Sequence, residues 1–545
     1  MVENDIFIVK GLSPIVNIPT VPLGKLIYDK LVLNNNENKA LINGHTGESI
    51  SNKKLLGRIM CLSECLLKLG CGKNTVVTIC SENCIEFFIP VIAALYIGAI
   101  VAPINHNYTK REIRHAIDIS KPKIIFCSEQ VFPKFSELKR KVNYIDKVLI
   151  INDTTTTEGA ESMTSFVRKS LRKGPLLYRF RPAEVEVAND VAFILYSSGT
   201  TGLPKGVMIT HRNVLTIFAQ NDDPRITNQD EGRCILGILP FFHAYGMIAG
   251  LNNIYKQTKV IVLKKFEEHL FLKSIGKYRI SSLLLVPPLL VFLAKSRLLH
   301  YYDLSSVKEV FCGAAPLSKN TEDEVKRRLK ISSVRQGYGL TETTLAVIKM
   351  PLGHNKSGSS GRLLPYMLCK IRDPETGTSL GPNQIGELCF KGPLVMKGYY
   401  GNAEATRSSF TQDGWLLTGD LGYYDNEEYF FIVDRLKEVI KYKGFQVAPT
   451  ELEAILLSHR KIKDAAVLGI PHEASGELPL AFVVPNPSSG LTEEEVKRFV
   501  AAKVSPEKRL RGGVIFVPEI PKNPSGKILR RELRELLTKK YKSKL

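Results

Sequence analysis

The sequence predicts an α/β protein with a large N-terminal domain of parallel sheets and flanking helices, a β subdomain, and a small α+β C-terminal domain. Strand-like and helix-like segments alternate through about residue 340, after which glycine, proline and aromatic residues become frequent in shorter segments. The last hundred residues have the order strand, strand, helix, strand. We therefore predict an N-terminal domain over residues 1–434 and a C-terminal domain over residues 435–545.

The first alternation predicts a parallel sheet that is covered by helices on both faces, because βαβ connections place helices on each side. Its segments are a strand at 76–80, a helix at 84–100, a strand at 100–103, a helix at 110–119, and strands at 123–127 and 147–151. Residues 153–173 are polar and predict a loop with a short helix. An apolar strand at 191–196 follows, and strand-like and helix-like signals mix over 207–218.

The second alternation places four polar or glycine-rich segments directly after predicted strands. The strands are at 191–196, 234–240, 307–312 and 334–337, and two more lie at 259–264 and 281–286. In open α/β sheets, ligands bind where loops leave the carboxyl ends of the strands. The sequence therefore predicts one site that several of these loops share.

After Gly361 the pattern predicts a small antiparallel β subdomain that ends near Asp434. Beyond it, strands are predicted at 465–470, 481–485 and 513–517, with a helix at 492–504. These elements suit a compact α+β unit.

Composition excludes several classes of protein. The chain has 545 residues and a formal charge of +21, but its basic residues are spread and show no zinc-finger or RNP-type pattern, so we predict no nucleic-acid partner. The apolar run at 87–103 is too short and is interrupted by Pro90, so we predict no transmembrane segment. The ten cysteines are scattered, and we expect buried reduced thiols in an intracellular protein.

The loop after the strand at 191–196 predicts a polyphosphate clamp. Glycines let the backbone approach an anion, hydroxyls add donors, and a lysine adds a cation. A flexible surface connector is the alternative, and the position of the lysine excludes a common P-loop. The loop consists of Ser197, Ser198, Gly199, Thr200, Thr201, Gly202, Leu203, Pro204, Lys205 and Gly206.

Four other side chains suit nucleotide chemistry, although each has an ordinary structural interpretation. Glu342 could hold Mg²⁺ beside phosphates or act as a helix N-terminal acid. Asp420 could accept two ribose hydroxyls or serve a turn. Arg435 has donors for ribose or phosphate oxygens, and Lys527, on a glycine turn, is by itself one lysine among many.

Five motifs in a fixed order carry a resemblance to a known superfamily: SSGTTGLPKG, YGLTETT, GWLLTGD, VDRLKEVIKYKGFQVAP and PKNPSGKILRR. The chain resembles the adenylate-forming enzymes, which include acyl-CoA synthetases, coumarate-CoA ligases and beetle luciferases. It is most similar to the insect luciferase-like peroxisomal fatty acyl-CoA synthetases. The resemblance implies ATP, Mg²⁺ and CoA as cofactors.

The resemblance also implies residue roles. The implied catalytic residues are Lys527, Lys441, His243 and Thr341. Lys527 would bridge the carboxylate and the α-phosphate, and Glu342 would hold Mg²⁺. The C-terminal domain would be mobile and rotate near Lys437, bringing Lys441 to the second half-reaction. The implied ATP-binding residues are Ser197, Ser198, Gly199, Thr200, Thr201, Gly202, Lys205, Gly313, Ala314, Ala315, Pro316, Tyr338, Gly339, Thr341, Asp420 and Arg435. The implied acyl- or CoA-binding residues are His243, Tyr245, Gly313, Leu345, Gly444 and Gln446.

Three positions favour a fatty acid over luciferin. Leu345, Phe242 and the less securely aligned Ile217 stand where luciferases carry polar residues. An apolar lining suits an alkyl chain, so the sequence predicts a fatty acyl-CoA synthetase. A luciferin monooxygenase, a coumarate-CoA-type ligase and a non-catalytic binding protein with the same fold are the alternatives.

The C-terminal tripeptide Ser543-Lys544-Leu545 predicts recognition by the peroxisomal import receptor, and hence a peroxisomal location. Such a signal is an address that a receptor reads, and it carries no information about the fold.

Overall fold

The computed structural model describes residues 7–33, 36–152, 156–171, 181–197, 204–229, 232–315, 317–443, 445–472, 475–487, 489–523 and 526–542. Its elements are numbered below in chain order.

The first part of the chain forms the strands β1 (Val9–Lys10), β2 (Lys39–Asn43), β3 (Ser49–Ser51), β4 (Val76–Cys80), β5 (Ile100–Pro103), β6 (Ile124–Cys127), β7 (Lys147–Ile150), β8 (Glu161–Ser162), β9 (Val191–Ser197) and β10 (Lys205–Thr210). The helices of this part are α1 (Leu23–Leu33), α2 (Asn52–Lys68), α3 (Phe88–Tyr96), α4 (Lys110–Ser120), α5 (Phe132–Lys139), α6 (Met163–Ser170) and α7 (His211–Asp222).

The next part contains β11 (Cys234–Gly237), β12 (Lys259–Val262), β13 (Ser282–Leu285), β14 (Glu309–Cys312), β15 (Val334–Gly339), β16 (Ala346–Lys349) and β17 (Arg362–Leu363). Its helices are α8 (Ala244–Tyr255), α9 (Glu268–Tyr278), α10 (Pro287–Lys295) and α11 (Lys319–Leu329), with 3₁₀ turns at Arg297–Tyr301 and Thr341–Thr343.

The β subdomain contains β18 (Leu368–Arg372), β19 (Ser379–Leu380), β20 (Gly386–Lys391), β21 (Gly398–Tyr399), β22 (Leu416–Tyr424), β23 (Phe430–Arg435) and α12 (Ala403–Ser408). The C-terminal unit contains β24 (Ile440–Tyr442), β25 (Phe445–Val447), α13 (Pro449–Leu457), β26 (Ile462–His472), β27 (Gly476–Pro485), α14 (Glu493–Ala501), a 3₁₀ turn at Pro506–Lys508, β28 (Gly513–Phe516) and α15 (Arg530–Lys542).

Two large sheets form the N-terminal domain. Among the described strands, one sheet has the order β21-β10-β9-β5-β4-β6-β7-β8 and the other β17-β16-β15-β14-β13-β11-β12-β2-β3. Both are parallel over their central strands and antiparallel at one or both ends. The predicted α/β class, with parallel sheets and flanking helices, is confirmed.

Helix α3 explains how these two sheets share a core. All nine of its residues are buried, as expected for a helix that is apolar on every side. The observed helix, Phe88–Tyr96, is shorter at both ends than the helix predicted at 84–100. No helix in the described part of the chain is long and apolar enough to cross a membrane.

The mixed signals at 207–218 arise because two elements meet there. β10 runs antiparallel to β9 and ends at Thr210, whose side chain then caps α7 by accepting from Asn213 N at 3.2 Å. The two patterns in the sequence are therefore consecutive, and a hairpin takes the place of the parallel crossover used elsewhere in this sheet.

The β subdomain and the C-terminal unit have separate sheets. The subdomain sheet is antiparallel and has the order β1-β18-β20-β22-β23, with β19 attached to β18. The C-terminal sheet has the order β25-β24-β27-β26, with β28 parallel to β27, and it has its own apolar core around Val447, Leu452 and Val483. The smaller α+β unit is as predicted, and its mobility stays a prediction.

Candidate active site

A cavity of about 370 Å³ lies where several strand ends meet. Its wall includes Ser197 at the end of β9, Gly313 after β14, and Gly339 at the end of β15. These are three of the strand ends that the sequence singled out. The volume is within the range of small-molecule sites.

Arg435 lines the cavity and contacts Asp420, which in turn contacts Tyr338; Asp420 and Tyr338 are not themselves among the described lining residues. The Tyr338 hydroxyl donates to Asp420 Oδ2 at 2.7 Å, and Arg435 Nε lies 3.2 Å from Oδ1. Asp420 and Arg435 are cross-strand neighbours on β22 and β23, so the backbone fixes their proximity. Burial raises the pKa of Asp420, while Arg435 and the Tyr338 hydroxyl act in the opposite direction. The group is suited to bind hydroxyls of a sugar.

Lys527 enters this cavity from the C-terminal unit. Its turn is closed by Asn523, whose side chain accepts from Lys527 N at 2.9 Å. Burial, and next the charge of Arg435, lower the pKa of Lys527 to about 8, although Asp420, Glu438 and Glu342 oppose the change. A partly desolvated cation thus lies in a cavity of the N-terminal domain.

Gly526 makes this approach possible. Its φ is +81°, and a Cβ at this position would lie 2.9 Å from Pro288 Cδ at the start of α10. Glycine is the residue that adopts this backbone conformation and leaves this space without strain. Lys295 Nζ adds a second contact between the units, donating to Ile462 O at 2.9 Å.

Glu342 and Lys205 lie on the same wall, joined through Tyr399. The Tyr399 hydroxyl donates to Glu342 Oε1 at 2.9 Å, and Lys205 Nζ lies 4.7 Å from the centre of the Tyr399 ring. Both side chains line the cavity. A single carboxylate fits Mg²⁺, which is usually held by one or two carboxylates together with substrate phosphates. Among the described residues no cluster of three or more metal-ligating side chains occurs.

The segment that follows β14 forms part of the cavity wall. Gly313 lies against the Tyr245 ring, where an added Cβ would be 3.4 Å from Cε1, and Ala314 has a φ of +75°. Gly313, Ala314 and Thr341 line the cavity. Ala315 is described but is not among its lining residues.

The cavity is lined by predicted acid-binding side chains. His243, Tyr245, Leu345 and Ile217 all line it. Burial, and next the charge of Lys527, lower the pKa of His243 to about 4, so the imidazole is neutral near pH 7. Phe242, in contrast, is not among the described lining residues and packs edge-to-face on His106 with ring centres 5.6 Å apart. One of the three arguments for an apolar pocket therefore concerns a different surface.

Part of the cavity lining is charged, which corrects the expectation of an apolar lining throughout. Arg233, Glu309 and Lys349 line it, together with polar side chains such as Thr227 and Asn252. Sequence reasoning missed this group. Its signal was a charged residue within each of two apolar strands, in the segments VKEVFC and AVIKM.

The residues predicted for the second half-reaction lie elsewhere. Lys441 is exposed on β24, where its backbone N–H donates to Glu477 Oε2 at 2.8 Å, and it is not among the described cavity residues. Gln446 is its cross-strand neighbour. Lys437 lines the cavity and lies in the segment between the subdomain sheet and the C-terminal sheet.

Several predicted residues lie outside the described residues. They are Ser198, Gly199, Thr200, Thr201, Gly202, Pro316 and Gly444, together with Ser543, Lys544 and Leu545 of the C-terminal tripeptide. The phosphate clamp therefore stays a prediction. Its two ends, Ser197 and Lys205, are both on the cavity wall.

Sequence profiles decide the family. The AMP-binding enzyme profile matches residues 30–400, and the AMP-binding enzyme C-terminal domain profile matches residues 451–527. The chain belongs to the AMP-binding enzymes. It is an adenylate-forming enzyme of the AMP-forming ligase type, which confirms the resemblance drawn from the five motifs.

Individual relatives include a protein named as a monooxygenase and another named as a CoA ligase. The chain is 45% identical over 507 residues to a luciferin 4-monooxygenase of Photuris pensylvanica, covering 93% of each chain. It is 40% identical over 509 residues to peroxisomal OPC-8:0-CoA ligase 1 of Arabidopsis thaliana, covering 92% of this chain and 91% of that protein. Its fold resembles ATP-bound MatB from Rhodopseudomonas palustris, with a TM-score of 0.84 and 28% identity over 94% of this chain and 98% of that one.

Proposed function

We propose that the protein is an ATP-dependent fatty acyl-CoA synthetase. The acid carboxylate attacks the α-phosphate of ATP, giving acyl-adenylate and pyrophosphate, and the thiol of CoA then displaces AMP to give the thioester. The observation that carries this proposal is the entry of Lys527 into one cavity that is also lined by His243 and by Arg435, the partner of Asp420. The ATP-bound structural relative supports nucleotide binding in this fold.

The first half-reaction requires cations because it brings two anions together. Lys527 interacts electrostatically with Asp420 and with His243, so its ammonium group would offset charge on both the carboxylate and the phosphate. Neutral His243 adds no cation of its own at the acid end. Asp420 and Arg435 would hold the ribose, while Ser197, Lys205 and the loop between them would hold the phosphates.

Glu342 would hold Mg²⁺, which would neutralise phosphate charge as a Lewis acid. Its carboxylate lies on the same cavity wall as Lys205, and its hydrogen bond from Tyr399 fixes its orientation. Thr341, adjacent to it on the 3₁₀ turn, would contact phosphate.

The second half-reaction would use a rotation of the C-terminal unit near residues 435–437. Lys527 and Lys441 both belong to this unit, but of the two only Lys527 lines the described cavity. A rotation that withdraws Lys527 would bring Lys441 and the segment with Gly444 and Gln446 to the adenylate. One site could then stabilise two different transition states in turn.

Luciferin oxidation is the second candidate function, and the relatives named luciferin 4-monooxygenase support it. Leu345 and Ile217 on the cavity wall favour an alkyl chain. A coumarate-CoA-type ligase would use the same nucleotide residues and differ only in the acid pocket.

A peroxisomal location is part of the proposal, and the name of the Arabidopsis relative supports it. The import receptor would read Ser543-Lys544-Leu545. A fluorescent fusion at the N-terminus should enter peroxisomes, and deletion of the tripeptide should leave it in the cytosol. Unchanged distribution after the deletion would contradict the signal.

The deciding experiment supplies ATP, Mg²⁺ and CoA with fatty acids of 8 to 18 carbons, coumarate or luciferin in parallel. We expect AMP and acyl-CoA from fatty acids, and weak or no light with luciferin. Bright emission with luciferin and no thioester from fatty acids would favour the monooxygenase. Thioester from coumarate alone would favour the coumarate-type ligase.

A further inference from the structure

We propose that the acid pocket ends in a subsite for a second carboxylate, so that the preferred substrate is an acid that carries a carboxylate at each end of a hydrocarbon chain. Lys349 is the residue that would bind the distal group. The inference rests on the proposed ligase function and specifies the substrate class of that same site.

Lys349 is the last residue of β16, and it lines the cavity. Lys349 Nζ lies 5.0 Å from the centre of the Phe311 ring and donates to Thr227 Oγ1 at 3.3 Å. Among the described residues no carboxylate lies within salt-bridge distance of this amine. A lysine placed in a cavity with a hydroxyl and a ring as its neighbours retains donors for a ligand.

The nearby carboxylate is already bound by two arginines. Glu309 Oε2 lies 3.0 Å from Arg233 Nη2, and Glu309 Oε1 accepts from Arg335 Nη1. Arg335 also donates to Met350 O at 2.7 and 2.9 Å. Burial by itself would raise the pKa of Glu309, but Arg335, Arg233 and Lys349 outweigh it and lower the pKa.

Positive charge is therefore in excess at this end. The described groups that act on Lys349 are Arg335, Glu309, Arg233 and Lys256, and Lys256 is itself paired with Asp222 at 2.9 Å. Arg233, Arg335 and Lys349 thus share the single carboxylate of Glu309. Burial, and next Arg335, lower the pKa of Lys349 to about 7, with Glu309 opposing the change. A bound carboxylate would supply the missing negative charge, and it would also favour the protonated amine.

The rest of the cavity fits a chain between two carboxylates. Lys527 and Lys349 line the same cavity, so one carboxylate can bind at Lys527 while the other binds at Lys349. The lining also includes Ile217, Ala249 and Leu345, which suit methylene groups. A plain fatty acid would place a terminal methyl beside Lys349, where it could satisfy no donor and would separate the cation from water.

The test measures kcat/KM for AMP release with monocarboxylic acids and α,ω-dicarboxylic acids of equal chain length, from 8 to 16 carbons. We expect the wild-type protein to prefer the dicarboxylic acid by at least about 10-fold at the best length. Lys349→Met should lower that preference by about 10- to 100-fold, since a hydrogen-bonded charge pair is lost. Lys349→Arg should retain the direction of the preference.

The matched control is Lys370→Met, which removes another buried lysine, one that lies 4.8 Å from the centre of the Trp415 ring in the β subdomain. This variant should keep the wild-type preference. A preference for monocarboxylic acids at every length in the wild-type protein would overturn the inference, whether or not Lys349→Met folds. An unchanged preference in folded Lys349→Met would also overturn it. No AMP from any acid would instead contradict the ligase function itself.

Discussion

Adenylation should lose activity as Lys527 loses its proton. Only the protonated amine can offset the charge of the carboxylate and the α-phosphate, and burial and Arg435 lower its pKa to about 8. The protonated fraction of such a group falls from about nine-tenths at pH 7 to about one-tenth at pH 9. The adenylation kcat/KM should therefore fall about 10-fold over these two pH units, because this parameter reports the free enzyme. Above pH 8 the decline should approach one order of magnitude per pH unit.

The assay should isolate the first half-reaction. Labelled ATP, Mg²⁺, a fatty acid and pyrophosphatase are mixed with the protein without CoA, and acyl-adenylate is measured after a rapid acid quench. The matched variant is Lys527→Arg, because arginine stays charged throughout this pH range. Its rate should be lower at pH 7 but constant from pH 7 to 9.5. Lys527→Met should reduce adenylation by about 10²–10³-fold at pH 7, as for one preorganised donor.

Two results would refute this reasoning. A wild-type kcat/KM that stays constant to pH 9.5 would show that the rate does not depend on a cation of lowered pKa. An equal decline in Lys527→Arg would assign the pH dependence to another group.

Three further substitutions test separate parts of the site. Tyr338→Phe removes the 2.7 Å hydrogen bond to Asp420 and should raise the KM for ATP by about 10-fold in steady-state assays, and an unchanged KM would exclude that bond from nucleotide binding. Gly526→Ala introduces a Cβ 2.9 Å from Pro288 Cδ at a φ of +81°. Single-turnover adenylation should therefore fall at least 10-fold, while the melting temperature should be nearly unchanged. Full adenylation would show that the close approach of Gly526 to Pro288 is not needed. Lys441→Ala should slow transfer from added acyl-adenylate to CoA with little effect on adenylation, and the reverse pattern would contradict the proposed rotation.

The fold was largely predictable because its strands and helices carry strong local patterns. The strand over Val76–Cys80 and the strand over Ile100–Pro103 were predicted with their observed bounds. The antiparallel turn of β10 against β9 was not, since the residues of a hairpin strand and of a parallel strand look alike in sequence. Strand pairing is a property of the whole sheet.

The nucleotide end of the site was easier to predict than the acid end. Asp420 and Arg435 lie in motifs with a fixed order, and the structure brings them together across two adjacent strands. The charged end around Lys349 and Glu309 carries no such motif. Only the sheet reveals it, because β14, β15 and β16 run side by side and bring these residues to one cavity.

Phe242 shows that residue type alone does not predict whether a side chain lines a pocket. Its residue type favoured an alkyl chain, but its side chain packs on His106 instead of the acid cavity. The direction of a side chain at a strand-to-helix turn depends on backbone geometry that the sequence pattern does not specify. His243, the next residue, does line the cavity.

The central claim is that one protein makes an acyl-adenylate and then transfers the acyl group to CoA. The most direct measurement is a chase: the protein is first loaded with a labelled acid and MgATP without CoA, and CoA is then added in the presence of excess unlabelled acid. We predict that labelled acyl-adenylate accumulates on the protein and is converted to labelled acyl-CoA with release of AMP. Adenylate that is consumed with O₂ and light, and yields no thioester when CoA is added, would contradict the account.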